Sequence, residues 1–371
     1  MGQRERHEEW VTRGGGTDQR QNRARRLTET GEGASIGPAT AMTCPKGAYP
    51  MPFRLVFASL FAAILMLIPP ANAQTSGLPA WLERHVGLED GQIAPVVLER
   101  ARAHYQEKVR QGAVKNPCYM AMDATRPSTL PNGQATRRFY VICEDKRTFK
   151  AMSSGYGNGR KLPRANFSNG RQCARHFSNA EGSKLTAGGG YVTAETRTSF
   201  KGYLGNPGKR TAFYRTFLLF DGEGETRNAR ERAIGGHRAA FVKWQCRFKD
   251  PSDRHADKDG YVPFGRLVDY TSGRSNGCTT WSEQAAKDIL RLVRGKPAAL
   301  FIYPASDDIM AVAGAVKNGV PLSRAGLYWD AACLKAIGAP KFWPKRTLQP
   351  VIRDWRKSLP KSPQRELPLC D

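Results

Sequence analysis

From residue 117 to about residue 304 the chain is a succession of short β-prone runs separated by glycine-rich turns, which restricts it to a mainly β domain. Cys118-Tyr-Met-Ala-Met122 and Arg138-Phe-Tyr-Val-Ile-Cys143 read as strands, with Pro131-Asn-Gly133 turning between them. A glycine-rich loop, Leu185 to Gly190, enters a strand at Tyr191-Val-Thr193. Phe213 to Phe220 reads as another strand, and Ile234 to Trp244 as a further one with His237 at or near its end. Leu300-Phe-Ile-Tyr303 is a buried strand that closes the unit. One helix interrupts the pattern, Ser282 to Val293, capped by Ser282 and carrying Ala286, Ile289, Leu290 and Val293 on its apolar face.

The flanks read differently. Residues 74–116 form a helical N-terminal segment, because Trp81, Leu82, His85 and Val86, then Val96, Val97, Leu98, Ala101 and Tyr105, recur at helical spacing across 78–112. Residues 305–371 read as a small packing extension, helical over Ile309 to Val316 and Ala325 to Ile337, with a Lys/Pro/Trp-rich end. The expected fold class is therefore mainly β with helical N- and C-terminal extensions. Residues 51–73 have one basic residue, Arg54, an apolar run of 14 residues from Leu55 to Ile68, and Ala71-Asn-Ala73. That is a secretory signal peptide with cleavage after Ala73, and the apolar run is too short to span a bilayer comfortably. Residues 1–50 are rich in Arg, Glu and Gly without apolar periodicity. They read as a disordered extension or as the product of a start codon assigned upstream of Met51.

An exported chain meets particular partners. Residues 1–73 hold nine of the 58 Lys and Arg and six of the 33 Asp and Glu, so the remainder carries a net +22. Such a balance favours polyanions, which for an exported protein means anionic cell-wall polymers and the membrane surface. No helix-turn-helix, zinc-finger or aromatic single-strand-binding pattern supports nucleic acid as a partner. No cysteine follows the cleavage site, so no lipid anchor and no stable membrane attachment is expected after cleavage. Seven cysteines lie beyond residue 73: Cys118, Cys143, Cys173, Cys246, Cys278, Cys333 and Cys370. With Cys278 free, six remain for three disulfides. Chain proximity suggests Cys118–Cys143 and Cys333–Cys370.

Several chemistries compete for the polar residues. Gly273-Arg-Ser275-Asn-Gly277 matches the Gly-x-Ser-x-Gly elbow of serine hydrolases, but every histidine after residue 73 precedes Ser275, whereas that fold places its histidine after the serine. A papain-like order fails too, since the cysteine there comes before the histidine. Cys173-Ala-Arg-His176 has a zinc-like spacing without a second ligand cluster, and reads better as a disulfide cysteine beside a surface histidine. Gly155-Tyr-Gly157-Asn-Gly159 lacks the strand and helix of a phosphate loop and reads as a turn. His255 sits in a polar run that reads as a solvated loop. What remains is Cys278, a thiol after Ser275-Asn276-Gly277 on a tight loop just ahead of a helix, with His237 upstream among Ile234, Gly235 and Gly236. A thiol and an imidazole are a nucleophile and base, and a helix N-terminus would favour the thiolate. A buried histidine satisfied by packing is the competing reading of His237.

These motifs together resemble the L,D-transpeptidase (YkuD-like) catalytic domain, in the branch with Ser-x-Gly-Cys. The resemblance spans roughly 118–304. It rests on Met122-Asp-Ala-Thr-Arg-Pro-Ser128, on Phe177-Ser-Asn-Ala-Glu-Gly-Ser183 with Gly188-Gly-Gly-Tyr-Val-Thr193, on Asn228 to His237, and on Gly265-Arg266 with Gly273 to Cys278. It implies a β-sandwich-type catalytic domain over 117–304 and cysteine acyl transfer on peptidoglycan stem peptides, with neither a metal nor an organic cofactor. In its terms Cys278 is the nucleophile, His237 the base, and Arg238 the residue whose carbonyl orients the imidazole. The amides around Asn276, Gly277 and Cys278 are the oxyanion donors, and Ser275 is the loop hydroxyl. Arg274 and Arg266, with Arg238, are candidates for binding a substrate carboxylate. The chain departs from the pattern at Asn276, Arg238, Thr279 and Gly155-Tyr156-Gly157. This leaves open an L,D-transpeptidase forming 3–3 cross-links, an L,D-carboxypeptidase, or a non-catalytic wall-binding protein in which Cys278 pairs in a disulfide.

Overall fold

The computed structural model describes residues 78–206, 208–271, 273–359 and 367–370, all within one unit, Asn72–Asp371. The stretches read from the sequence as an extension, 1–50, and as a signal peptide, 51–73, lie outside the described residues. In chain order the elements begin with α1 (Ala80–Glu83), α2 (Pro95–Arg110), β1 (Cys118–Asp123), β2 (Arg137–Cys143) and β3 (Thr148–Ser153). The short strands β4 (Lys161–Leu162), β5 (Ala165–Asn166) and β6 (His176–Phe177) follow. Then come the long β7 (Gly189–Asn206) and β8 (Lys209–Gly222), β9 (Gly235–Arg238), β10 (Ala240–Lys249), β11 (Tyr261–Asp269) and β12 (Thr279–Trp281). The chain finishes with α3 (Glu283–Leu292), β13 (Ala299–Tyr303), α4 (Ser306–Lys317), α5 (Ala331–Ile337), β14 (Lys341–Phe342) and α6 (Lys345–Ser358).

The main sheet runs β12-β9-β8-β7-β13-β1-β2-β3, with β11 adding to β7 and β10 to β11. Strand alternation explains how it is buried. Along β1, Cys118, Met120 and Met122 face one core with Phe139, Leu300, Ile302 and Trp281. Tyr119 and Ala121 face another with Tyr140, Ile142, Leu82, Val97 and Leu98. Both faces of the central strands are therefore covered, so all six residues of β1 are buried. The architecture is mainly β with flanking helices, as the pattern of the sequence leads one to expect, and is consistent with the β-sandwich-type domain that the resemblance implies. Among the described residues no helix is long and apolar enough to cross a membrane.

Several local expectations are corrected. The helical segment 78–112 is two helices, because Gly91 takes a positive φ of 86° and Pro95 sits at the first turn of α2. Between them Val86 bridges to Ile93. The run Ile234 to Trp244 is broken at the buried Ala239, where the chain leaves the β8 ladder for that of β11. The second tail helix starts at Ala331, since the Asp330 side chain caps it by accepting the Cys333 amide at 2.9 Å.

The tail is an integral part of the fold. Ile309, Val312, Trp329 and Cys333 lie in the main core, and Leu348 and Ile352 of α6 pack with Leu162, Phe167, Ala180 and Leu185. Strand β14 runs parallel to β6, pairing Lys341 with His176 and Phe342 with Phe177. Of the two disulfides suggested by proximity, Cys118–Cys143 forms across the β1–β2 pair. Cys333–Cys370 does not. Cys333 bonds Cys173 across 160 residues, and Cys370 bonds Cys246, beside which Cys370 N–H donates to the Arg247 carbonyl at 2.9 Å. That pairing removes Cys173 from any zinc site, and His176 is half-buried, its Nδ1 accepting from Trp343 Nε1 at 3.1 Å. His255 is likewise no bare loop residue: it stacks on Phe200 with centroids 4.1 Å apart and bonds the Tyr214 hydroxyl.

Candidate active site

Strands β9 and β12 run parallel at the end of the sheet, with Thr279, Thr280 and Trp281 registered against Gly236, His237 and Arg238. Cys278 immediately precedes β12, two residues ahead of Thr280, whose register partner is His237. The glycines that make this approach possible serve the core. A Cβ on Gly236 would lie 1.8 Å from the Trp281 indole, and one on Gly235 would lie 2.1 Å from the Leu218 carbonyl oxygen.

The loop before Cys278 is fixed by backbone pairing. Gly155 N–H donates to the Thr280 carbonyl at 3.2 Å and to Thr280 Oγ1 at 3.0 Å. Ser275 N–H donates to the Tyr156 carbonyl at 2.6 Å, and Asn158 N–H to the Ser275 carbonyl at 2.8 Å. Gly155-Tyr-Gly157 is thus an extended strip laid along the loop, which corrects its reading as a turn. It needs glycine because a Cβ on Gly155 would meet Thr280 Oγ1 at 2.3 Å, and one on Gly157 the Thr186 nitrogen at 2.4 Å. Within the loop the buried Ser275 hydroxyl accepts from Gly277 N–H at 3.1 Å and donates to the Cys278 carbonyl. Gly277 has a φ of 106°, where a side chain would be strained, and a Cβ there would press on the Leu185 carbonyl at 2.9 Å.

His237 is buried at 6 % exposure, stacked on Phe217 with centroids 5.5 Å apart, and its Nδ1 lies 2.7 Å from the Arg238 carbonyl. That bond assigns the proton to Nδ1 and leaves Nε2 with a lone pair. Burial, then the neighbouring Arg215 and Lys201 charges, push the imidazole down to about 3, so it is neutral at physiological pH. Cys278 is the one free cysteine among the described residues, half-buried, with its sulfur 3.6 Å from the Ala233 carbonyl. Burial raises its thiol above the ordinary value, against the opposing pull of a backbone bond at Gly235 and of Arg215 and Arg232. The expected support from a helix N-terminus is absent, because β12 separates Cys278 from α3, whose cap Ser282 accepts from Ala285 N–H instead. The resting pair is a neutral thiol and a neutral imidazole.

The other candidates spread out. The Arg238 side chain turns away to Glu283 at 2.9 Å and over Phe213, leaving its carbonyl on the histidine. Arg274 donates to the Asn169 carbonyl at 2.6 Å. Arg266 is exposed on β11, opposite Lys243 of β10. Asn276 is exposed on the loop. Electrostatically in reach of Cys278 are also Arg215 and Tyr270, which sequence reasoning missed, and Arg232 and Tyr191, which lie in the motifs that carry the resemblance but are not named there as site residues. Arg232 Nη2 donates to the Leu185 carbonyl at 2.7 Å. Nothing in the spacing of Arg215 marks it, since strand pairing alone brings it there.

A family model described as the L,D-transpeptidase catalytic domain matches residues 89–303. The matched stretch starts ahead of α2 and ends with β13. No curated protein and no solved structure matches the chain.

Proposed function

Because this chain belongs to the family of L,D-transpeptidase catalytic domains, matched over more than half its length, we propose that it is an exported cysteine acyltransferase of peptidoglycan stem peptides, with Cys278 as nucleophile and His237 as base. The observation that carries this reading is the pairing of a free Cys278, on a loop stapled by Ser275, with a neutral imidazole on the adjoining strand oriented by the Arg238 carbonyl.

The chemistry follows from the two neutral groups. His237 Nε2 takes the thiol proton as Cys278 attacks the carbonyl of the third stem residue, a diamino acid. A preformed ion pair would require charging an imidazole that burial keeps neutral. Gly277 N–H is turned to Ser275, so the oxyanion is assigned to the amides of Asn276 and Cys278. One such donor is typically worth about 2.7–4 kcal/mol of barrier. The imidazolium then protonates the departing amine, the terminal D-alanine leaves, and a thioester remains. An amine acceptor gives the 3–3 cross-link, and water gives L,D-carboxypeptidase activity. A wall-binding protein with Cys278 in a disulfide is disfavoured, since the other six described cysteines pair among themselves.

The test is incubation of the protein and of Cys278→Ala with disaccharide-tetrapeptide muropeptides, products being read by mass. Cross-linked dimers that vanish in the variant are the expected outcome. Tripeptide alone would make the enzyme a carboxypeptidase, and no turnover by either protein would refute the proposal. Export would appear as a mature N-terminus at Gln74 in protein recovered from the cell envelope.

A further inference from the structure

Four guanidinium groups on the segments that flank His237 and Cys278 in the chain are engaged by protein partners. Arg238 pairs with Glu283 at 2.9 Å, Arg230 with Asp221 and Glu195, Arg274 bonds the Asn169 carbonyl, and Arg232 the Leu185 carbonyl. Arg215 differs. It lies on β8 opposite Ser199 of β7, and among the described residues no carboxylate pairs with it. Its Nε, like that of Arg238, is buried without a hydrogen-bond partner, but Arg238 has the Glu283 carboxylate as counter-charge. An uncompensated guanidinium beside a reactive thiol is costly to hold, and its fork is suited to a planar carboxylate.

Its position is set by register. Phe217 of β8 pairs with His237 of β9, and Arg215 is two residues before Phe217, so it rises from the same face as the imidazole. The same charge acts on His237, on Cys278 and on Tyr270. A cation in that place stands where the leaving group departs, because His237 delivers its proton to the leaving nitrogen. In the expelled D-amino acid that nitrogen is separated from the terminal carboxylate by a single carbon.

We propose that Arg215 is the specificity-determining residue that binds the free terminal carboxylate of the acyl donor, making the enzyme selective for a single D-amino acid at the chain end. The inference rests on the acyl-transfer reading above. In the step it serves, the Cys278 sulfur–carbon bond forms and the amide carbon–nitrogen bond breaks. The thiol proton passes through His237 to the amine, and the amino acid departs with its carboxylate on Arg215. A charge-assisted, two-point contact of this kind predicts a discrimination of about 30-fold or more.

The experiment measures thioester formation at Cys278 by intact-protein mass, with a tetrapeptide donor and with the same donor amidated at its terminal carboxylate. Wild type, Arg215→Gln and Arg215→Lys are compared. The expected result is that wild type acylates on the acid about 30-fold faster than on the amide. Arg215→Gln acylates on the acid and on the amide at rates within about threefold of each other, and Arg215→Lys recovers part of the discrimination. Equal loss on both donors would assign Arg215 a merely structural role and overturn the inference. So would a wild type indifferent to amidation, which would leave the acyl-transfer reading standing. No thioester from either donor in wild type would overturn both.

Discussion

Replacing Ser275 by alanine removes one oxygen from the loop that presents Cys278, the proposed nucleophile. That oxygen accepts from Gly277 N–H at 3.1 Å and donates to the Cys278 carbonyl, and it is 5 % exposed. Both backbone groups lose their partner at once. A buried backbone group left unsatisfied costs about 1–3 kcal/mol. Gly277 is buried, so its amide bears the full cost, whereas Cys278 is half-buried and water can reach its carbonyl in part. The loss in the presenting conformation is therefore about 2–4 kcal/mol, or about 30- to 1000-fold in the acylation rate constant. Two assays separate alignment from intrinsic thiol reactivity. Thioester formation with the tetrapeptide donor requires the aligned loop, and alkylation by iodoacetamide requires only the thiol. Ser275→Ala should lose the first by that factor and retain the second within about threefold. Acylation within threefold of wild type would show that the Gly155–Gly157 strip alone holds the loop, and would refute the reasoning.

Four further outcomes follow from the same structure. The alkylation rate of Cys278 should climb tenfold per pH unit through pH 8 with no acid plateau, because the thiol is raised above the ordinary 9 and the imidazole, near 3, offers no ion pair; a plateau between pH 5 and 7 would establish a thiolate–imidazolium pair instead. Stability should fall as pH drops from 6.5 towards 3, since the unfolded chain protonates His237 while the folded one does not. The slope from this group is about 1.4 kcal/mol per pH unit, and His237→Gln should lose less melting temperature between pH 7.5 and 5 than wild type. Asp123→Ala should cost about 3–5 kcal/mol in urea unfolding. The fully buried carboxylate takes Thr125, Arg126 at 3.3 Å and Tyr328 at 2.7 Å, and a cost under 1 kcal/mol would mean those partners find others. Replacing Cys173 and Cys333 together by serine should cost about 5 kcal/mol, the entropy of a 160-residue closed loop, and an unchanged melting temperature would show that core packing alone fixes the tail.

The sequence by itself determined the elements whose patterns are local. Continuous apolar, β-prone runs at Cys118–Met122 and Phe139–Cys143 mark buried strands, and Ser282 with Ala286, Ile289 and Leu290 marks a capped amphipathic helix. The motif Ser275-Asn-Gly-Cys278, with His237 in a glycine-rich run, was legible because a hydroxyl staple, a positive φ and a close backbone approach each demand a particular residue type at a particular place. Chain proximity points to Cys118–Cys143, the two ends of one hairpin, but the same rule points to Cys333–Cys370, which does not form.

Tertiary structure alone decided what depends on non-local register. Cys333 joins Cys173 because β14 lies beside β6, and Cys370 joins Cys246 because the chain end runs along β10. The Arg215 charge reaches His237 and Cys278 because Phe217 pairs with His237 across twenty residues of chain. The expected helix-dipole help for Cys278 vanished because three residues of strand were inserted before α3. Periodicity encodes which face of an element is apolar, but not which distant element will cover it. That choice is made by the packing of whole layers, and here the same packing leaves a thiol and an imidazole both uncharged at the end of the sheet.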